Sequence, residues 1–339
     1  MNAPIMSCRL HNRLLIECAA LLLGVTGGGC VVVSTAWGEP LLLRNANPLL
    51  APYGFPAALP AKLPAADTGS FGVTLLWANS ATVEGNASHA LTLDGEAQEL
   101  RLRGTYAFTD RFAMVAEVPW RHLSGGTLDS FIDDWHKTFG MPNGSRLRLP
   151  RDQLLIEYRE GDAVLFHFDQ DSSGIGDVPI SLGYQMHTSD ANALAGWLTV
   201  KAPTGDPAKL SGSGATDAAF SLSGQAQFGA RWQGFGQADA VWLGKGDIVP
   251  DLQQSFAWSA LAGMSWHAWR GLDLTAQINA NSKVFDAAKT HFTGDAVLLN
   301  FGGSYRTAGG WRFDVGLGED IETKASPDAT FSFGLQHAF

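Results

Sequence analysis

Apolar and polar side chains alternate along most of the chain after residue 70. From Phe220 to Trp232 the even-numbered positions carry large apolar or small residues, and the odd-numbered ones are mostly Ser and Gln. The stretch from Leu272 to Asn281 repeats this separation. A period of two is typical of a β-strand with one apolar and one polar face. About twelve such segments occur, each close to the roughly 9–11 residues of a tilted membrane strand, and they start near residues 71, 100, 112, 178, 194, 220, 236, 256, 272, 297, 311 and 330.

The connections between these segments alternate between short and long. Short ones are expected at 109–110, 188–192, Gln233, 269–271 and 307–310, and long ones at 81–98, 122–177, 202–217, 245–255, 282–296 and 319–329. Short turns at one end and long loops at the other indicate a transmembrane barrel. We therefore predict an all-β fold: an antiparallel β-barrel of about 12 strands over residues 70–339, with short periplasmic turns and long extracellular loops. A soluble sandwich is the alternative.

Aromatic residues support the membrane interpretation. Tryptophans expected near strand ends on the apolar face are Trp77, Trp120, Trp232, Trp242, Trp266 and Trp311, as in the aromatic girdles of membrane barrels. The final stretch TFSFGLQHAF alternates Phe331, Phe333 and Leu335 with small or polar residues. It predicts a closing strand that pairs with the first strand near Phe71. Terminal Phe339 resembles the signal that the outer-membrane barrel assembly machinery recognises in its clients.

The first 38 residues have the features of a signal peptide. Arg9 and Arg13 precede an apolar run from Cys18 to Val33, and small residues surround Trp37, so cleavage is predicted after Gly38. An uncleaved membrane anchor remains open, and a lipoprotein site at Cys30 is a weaker alternative. All three cysteines precede residue 31. Export without disulfides agrees with a bacterial outer-membrane location, where outer-membrane lipid and lipopolysaccharide would surround the barrel.

Residues 39–69 do not follow the strand pattern. Prolines recur every fourth residue from Pro48 to Pro64, and proline both removes a hydrogen-bond donor and fixes φ, which excludes a ladder strand or a helix interior. The segment is nevertheless apolar. Two interpretations are equally supported: a periplasmic lead-in to the first strand, and a plug folded into the lumen.

The loop insert 122–177 contains one predicted helix. Residues 127–139 form an amphipathic pattern with Thr127 as the expected cap and Gly140 as the end. A hairpin is expected around Glu160 to Asp162, and the insert would form a lid or a lipid-contacting rim. The acids near His136 allow a metal site, but a solvated helix face explains them better. No metal site is predicted.

The face opposite the lipid is polar and carries charges of both signs. The side chains predicted to line a pore are Arg101, Arg103, Glu117, Arg121, Lys201, Asp239, Arg312 and Asp314, which indicate no strong ion preference. The chain's net charge is −10 and becomes about −11 without the leader. Nucleic acid is therefore not an expected partner, because no basic stripe could neutralise phosphates.

Motifs for catalysis and cofactor binding are missing from the sequence. The stretch Leu243-Gly244-Lys245-Gly246 is no phosphate loop, because Asp239 stands in place of the first glycine and Gly246 in place of the Ser or Thr. Neither G-x-S-x-G nor H-E-x-x-H occurs. No cofactor and no catalytic residue are predicted. An outer-membrane lipid hydrolase or acyltransferase is a weak alternative, with Ser265 and His267 on one strand face as its nearest candidates.

Three motifs carry a family resemblance over most of the exported chain: NANPL at 45–49, SGGTLDSFIDDWHKTFGMP at 124–142 and SGIGDVPISLGYQ at 173–185. They resemble a bacterial outer-membrane β-barrel family catalogued only as a domain of unknown function. The stretches GIGD at 174–177 and VKAPTGD at 200–206 are similar, more loosely, to barrels associated with pathways that degrade aromatic compounds. These resemblances imply an outer-membrane barrel and supply no catalytic residues.

The functional hypothesis is a narrow or plugged conduit for an unknown small or hydrophobic molecule. A barrel of about twelve strands lies between eight strands, which side chains fill, and sixteen, which leave an open channel. A structural or assembly barrel without transport is the main alternative.

Overall fold

The computed structural model describes residues 38–86, 88–140, 146–286, 294–321 and 326–339. Twelve antiparallel strands in these ranges close into a barrel. In chain order they are β1 (Gly69–Asn86), β2 (His89–Thr109), β3 (Phe112–Ser124), β7 (Val178–Thr188), β8 (Asn192–Ala202), β9 (Asp217–Phe228), β10 (Trp232–Trp242), β11 (Phe256–Trp269), β12 (Leu272–Asn281), β13 (Ala296–Arg306), β14 (Trp311–Asp320) and β15 (Ala329–Ala338).

The barrel closes because β1 pairs with both β2 and β15. In the closing pair, Phe71 lies opposite His337, and the backbones of Gly69 and Phe339 exchange hydrogen bonds at 2.9 Å in both directions. A ring of paired strands leaves no open edge between them. The predicted barrel, its strand number and its closing strand are confirmed, and the sandwich alternative is wrong.

Alternation along each strand separates an apolar outer face from a polar inner face. On β12, Ile278 is 47% exposed on the outside, whereas Gln277 is 1% exposed on the inside. Trp120, Trp232, Trp242 and Trp311 are also exposed on the outer face near strand ends. Such a surface suits a hydrocarbon environment with aromatic residues at its borders.

Further elements lie in the long connection between β3 and β7. They are α1 (Asp129–Phe139), a 3-10 turn at Arg146–Arg148, and the short strands β4 (Leu155–Glu160), β5 (Ala163–Phe168) and β6 (Ser172–Ile175). The predicted helix and hairpin are therefore present: β4 pairs with the outer part of β2 and then with β5. A second 3-10 turn, Pro207–Lys209, follows β8. No helix among the described residues is long and apolar enough to cross a membrane.

Two predicted connections are wrong. Residues 81–86 belong to β1 and residues 89–98 to β2, and the two strands extend as one long hairpin beyond the end of β15. The apolar pattern stops there on the outer face because the loop insert, rather than lipid, covers Asp94 and Glu96. The turn expected at Gln233 lies at 229–231, where Gly229 adopts a left-handed φ of 68°. Trp232 already belongs to β10 and lies opposite Phe228.

Candidate functional site

Residues 38–53 run through the lumen from the short-turn end towards the long-loop end. Inward-facing side chains of β10 and β12 bind this part of the chain in sequence order: Gln233 donates to the Gly38 carbonyl at 2.6 Å, Gln277 accepts from the Leu41 N–H at 3.0 Å, and Asn45 donates to Asn281 at 3.2 Å. Since β12 begins at the short-turn end and finishes at the long-loop end, these contacts fix the direction of the segment.

Residues 54–68 return through the lumen to the short-turn end, where β1 begins. Their N–H groups donate to successive wall residues: Gly54 to Asp217 at 2.8 Å, Leu59 to Gln237 at 2.7 Å, Leu63 to Gln185 at 2.7 Å and Ala66 to Asp110 at 3.0 Å. Residues 38–68, here called the lumen segment, therefore form an extended hairpin inside the barrel. Its prolines suit this path because an extended chain without a ladder needs few N–H donors.

The tip of the lumen segment packs into an apolar cluster at the long-loop end. Leu49, Leu50 and Tyr53 are buried there against residues that the loops and the long hairpin supply, among them Leu91, Leu93, Leu210, Leu243, Ile248 and Phe285. The Tyr53 and Phe285 rings meet edge to face at 5.7 Å. Burial of this apolar surface stabilises both the tip and the loops above it.

A buried ionic network lines the wall on β2 and β3. Glu99 accepts from Arg101 at 3.1 Å, from Arg121 at 2.8 Å and from Arg44 of the lumen segment at 2.7 Å. Glu117 binds Arg101 at 3.0 Å and Arg103 at 2.9 Å. A buried ion pair stabilises a protein only when the arginine N–H groups that do not contact the carboxylate also have hydrogen-bond partners.

Backbone carbonyl groups of the lumen segment satisfy part of that requirement. Arg103 donates to the Ala58 carbonyl at 2.8 Å, and Arg121 donates to the Ala51 carbonyl at 2.5 Å. Nearer the long-loop end, Lys201 binds Asp177 at 2.6 Å, Asp217 at 2.9 Å and the Pro52 carbonyl at 3.1 Å. The wall and the segment therefore share one hydrogen-bonded network.

The remaining predicted lining residues also face inward. Arg312 binds Asp314 at 2.7 Å and pairs with Glu39 of the lumen segment, near the short-turn end. Asp239 accepts from Ser259 at 2.6 Å and from Gln237 at 2.9 Å at mid-barrel. All eight predicted side chains thus lie inside the barrel. Seven of them contact another of the eight or the segment, and Asp239 bonds to the wall residues Gln237 and Ser259. Their role in lining an open pore stays a prediction.

Sequence reasoning missed several partners of these residues. Glu99 has the same strand parity as Arg101 and Arg103, but the strand was predicted to start at Leu100. Arg44 and Glu39 could not be assigned, because only the folded segment brings them to the wall. The weak enzyme candidates are not joined to each other: Ser265 bonds to Thr275 at 2.8 Å, and His267 to Asp273 at 2.8 Å.

The loop insert packs against the outer face of the long β1–β2 hairpin. Glu96 on β2 accepts hydrogen bonds from Trp77 Nε1 and from the Thr127 N–H, both at 2.7 Å, and from the Leu128 N–H. The expected cap is therefore wrong: the N-cap residue of α1 is Leu128, without a side-chain cap bond. Instead, the carboxylate of Glu96, on strand β2, accepts hydrogen bonds from the free backbone N–H groups at the start of the helix.

A second polar cluster holds the first residue of α1. Asp129 accepts from Asn79 at 3.0 Å and from Arg146 at 2.9 Å, and Arg146 also binds Asp328 at 3.0 Å. Asp94 pairs with Ala81, beyond the last β1–β15 pair, and so lies outside the membrane-spanning part. Burial raises the pKa of Asp94 to about 7, and the nearby carboxylates of Asp129 and Asp328 add to the increase.

Comparison with solved structures identifies the class of fold. The COG4313 outer-membrane channel from Pseudomonas putida F1 matches with a TM-score of 0.55 and 14% identity, over 82% of this chain and 98% of that one. The KdgM porin in complex with disordered oligogalacturonate matches with a TM-score of 0.42 and 8% identity, over 80% and 99%. The Pseudomonas putida toluene transporter TodX matches with 0.39 and 10%, over 82% and 90%. The match to the COG4313 channel shows that the chain has the fold of a bacterial outer-membrane β-barrel.

Residues 35–339 match the model of the DUF3187 family, which is described as a protein of unknown function. The chain belongs to this family. No match is found among curated proteins.

Proposed function

We propose that this protein resides in the bacterial outer membrane and forms a conduit for small molecules that its lumen segment closes. The apolar outer face would contact lipid and lipopolysaccharide, and the barrel assembly machinery would insert the chain. The long loops would face the outside of the cell and the short turns the periplasm.

The observation that carries the proposal is the series of hydrogen bonds between residues 38–66 and inward side chains on β7, β9, β10 and β12. Three cavities beside the segment have volumes of about 20, 20 and 40 Å³, enough for a few water molecules. Passage of any larger solute then requires displacement of the segment. The segment is held by hydrogen bonds to polar side chains of the wall. Water can form the same bonds with these side chains once the segment leaves, which makes displacement feasible.

The test is current through planar bilayers before and after release of the segment. A protease site inserted at residues 65–67, where Ala65 and Asp67 are exposed, allows cleavage after folding, and a Δ39–66 variant is the genetic counterpart. We expect negligible conductance from the intact protein and clear single-channel steps after cleavage. A nonconducting cleaved barrel, with strand structure retained by circular dichroism, would contradict the proposal and favour a structural or assembly barrel.

The class of solute needs a separate measurement. Liposomes containing the cleaved protein are tested for swelling with sugars, fatty acids and aromatic acids. The notion that the solutes are small or hydrophobic predicts entry of the smaller and more apolar members. Uniform exclusion of all of them, despite measurable conductance, would contradict that notion.

A further inference from the structure

The wall of the lumen binds the lumen segment mainly through its backbone. Gln237 accepts from the Leu59 N–H at 2.7 Å and donates to the Ala57 carbonyl at 3.2 Å. Gln185 accepts from the Leu63 N–H at 2.7 Å and donates to the Ala61 carbonyl at 2.9 Å. Each side-chain amide therefore presents one acceptor and one donor to the segment, as the edge of a neighbouring strand would.

The same arrangement recurs elsewhere on the wall. Gln277 accepts from the Leu41 N–H at 3.0 Å and donates to the Leu41 carbonyl at 3.3 Å. Asn279 donates to the Leu43 carbonyl at 2.7 Å. Contacts of this kind do not depend on which side chains the bound chain carries, because every residue supplies a carbonyl.

Proline residues of the segment are accommodated through their carbonyl groups. The indole N–H of buried Trp197 donates to the Pro60 carbonyl at 3.0 Å, and Ser223 donates to the same oxygen at 3.0 Å. Lys201 binds the Pro52 carbonyl. Recognition of an extended chain by an aromatic N–H and by carbonyl contacts is how proline-rich peptides are bound in general, since such chains are already extended and lose little entropy.

An apolar solute bound in place of the segment would fit this wall poorly, although a solute that passes without displacing water from the amides meets no such penalty. Gln185, Gln237 and Gln277 are at most 6% exposed with the segment in place. A hydrocarbon in place of the segment would leave their amides without partners, which is unfavourable in a buried site. A second amide-containing chain would restore every bond.

We propose that the lumen wall is a binding site for extended, proline-containing peptides, and that the lumen segment is its resident occupant. The inference rests on the proposed function in one respect: the segment must leave for another peptide to enter. An incoming peptide uses the contacts that Leu41, Leu59, Leu63 and the proline carbonyls now use.

The experiment measures fluorescence anisotropy of labelled peptides with the full chain cleaved at residues 65–67 after folding. One peptide has the sequence of residues 38–66, and a second keeps its six prolines in place while the other residues are shuffled. A third replaces the amides of Leu59 and Leu63 with esters, which deletes two N–H donors and leaves all side chains unchanged.

We expect the first two peptides to bind with dissociation constants within about tenfold of each other, and the ester peptide to bind at least about tenfold more weakly. The variant Q185A/Q237A should weaken the amide peptide more than the esters do, because it also removes the donations to the Ala57 and Ala61 carbonyls. It should weaken the ester peptide less than the amide peptide, because the two bonds from Leu59 and Leu63 are already absent there. Gln227→Ala is the control: this glutamine shares the inward parity of β9, is exposed near the short-turn end, and makes no hydrogen bond with the segment in the described part of the chain.

The inference is overturned if the shuffled peptide fails to bind, or if esters cost nothing. Because the peptide comparisons use the unaltered wall, they do not depend on the folding of a variant. The same sample is tested in bilayers. Conductance without peptide binding would overturn the inference and leave the conduit, whereas peptide binding by a barrel that never conducts would sustain the inference and remove the conduit.

Discussion

Gln277 at the middle of β12 and Leu41 in the lumen segment are 236 positions apart in sequence and are joined by two hydrogen bonds of 3.0 and 3.3 Å. Next to Gln277, Ala276 points in the opposite direction and is exposed on the outer face. One peptide unit therefore separates the membrane environment from the interior of the barrel.

The outer-face assignment can be tested at Ala276. Replacement by Arg should destabilise the barrel by about 2–4 kcal/mol, the usual cost of a cation near the bilayer midplane, whereas Ala276→Leu should be tolerated. Urea unfolding in lipid vesicles measures both. Equal stability of the two variants would mean that position 276 does not face lipid.

Arg44→Glu should release the lumen segment. The substitution places two carboxylates beside each other at Glu99, and loss of a buried pair typically costs about 3–5 kcal/mol. The closed-to-open equilibrium constant should fall by a factor between roughly 10² and 4 × 10³, since about 1.4 kcal/mol is tenfold. Bilayer recordings should show more frequent opening than in wild type. Arg44→Lys keeps the charge and should behave closer to wild type; identical closure of all three proteins would contradict the role of this pair.

Asp94 should make attachment of the loop insert dependent on pH. Because its folded pKa of about 7 lies above the ordinary 3.8, the packed state binds the extra proton and becomes less stable as pH rises from about 4 to 7. Asp94→Asn should remove this pH dependence. It should also stabilise the packing of the loop insert at pH 7 by a few kcal/mol, since each pKa unit corresponds to about 1.4 kcal/mol. The comparison is limited proteolysis of residues 125–153 at pH 5 and pH 8. A wild-type loop that is cleaved equally at both values would argue against it.

Glu96→Ala should loosen α1 without opening the barrel. The change leaves the N–H groups of Thr127 and Leu128 without their acceptor, and loss of a helix cap costs about 0.5–2 kcal/mol. Hydrogen exchange at residues 128–133 should accelerate, while exchange in β12 stays unchanged. Glu96→Gln retains an acceptor and should show a smaller effect. Unaltered hydrogen exchange in Glu96→Ala would show that contacts other than those of Glu96 hold the start of the helix.

Substitution of Phe339 distinguishes a role in assembly from a role in the stability of the folded barrel. Its ring is 65% exposed, so Phe339→Ala should change unfolding free energy by no more than about 0.5 kcal/mol, as for ordinary surface positions. Insertion into proteoliposomes that contain the assembly machinery should nevertheless slow severalfold. Equal insertion rates for the two proteins would remove the signal.

The leader prediction lies outside the described residues. Residues 1–37 are not described, so cleavage after Gly38 remains a prediction that N-terminal sequencing of the exported protein would check. The structure does locate the carbonyl of Gly38 at the short-turn end of the lumen, bonded to Gln233.

The sequence alone determined the barrel, the inward parity of all eight charged candidates and the pairing of the last strand with the first. These properties depend on alternation at a period of two, which is a local feature of the chain and is imposed by lipid on one face. Where another part of the protein replaced lipid, as at Asp94 and Glu96, the same pattern misled and predicted a loop.

Only the tertiary structure decided where residues 38–68 lie and which partners the charged side chains use. This proline-rich chain carries neither strand nor helix periodicity, so both a lead-in and a lumen position agreed with its sequence. The contacts of Leu41 with Gln277, and of Arg44 with Glu99, join residues that are far apart in the chain. Such contacts exist only after the barrel has closed around the segment, because closure is what brings the inward faces of separate strands together.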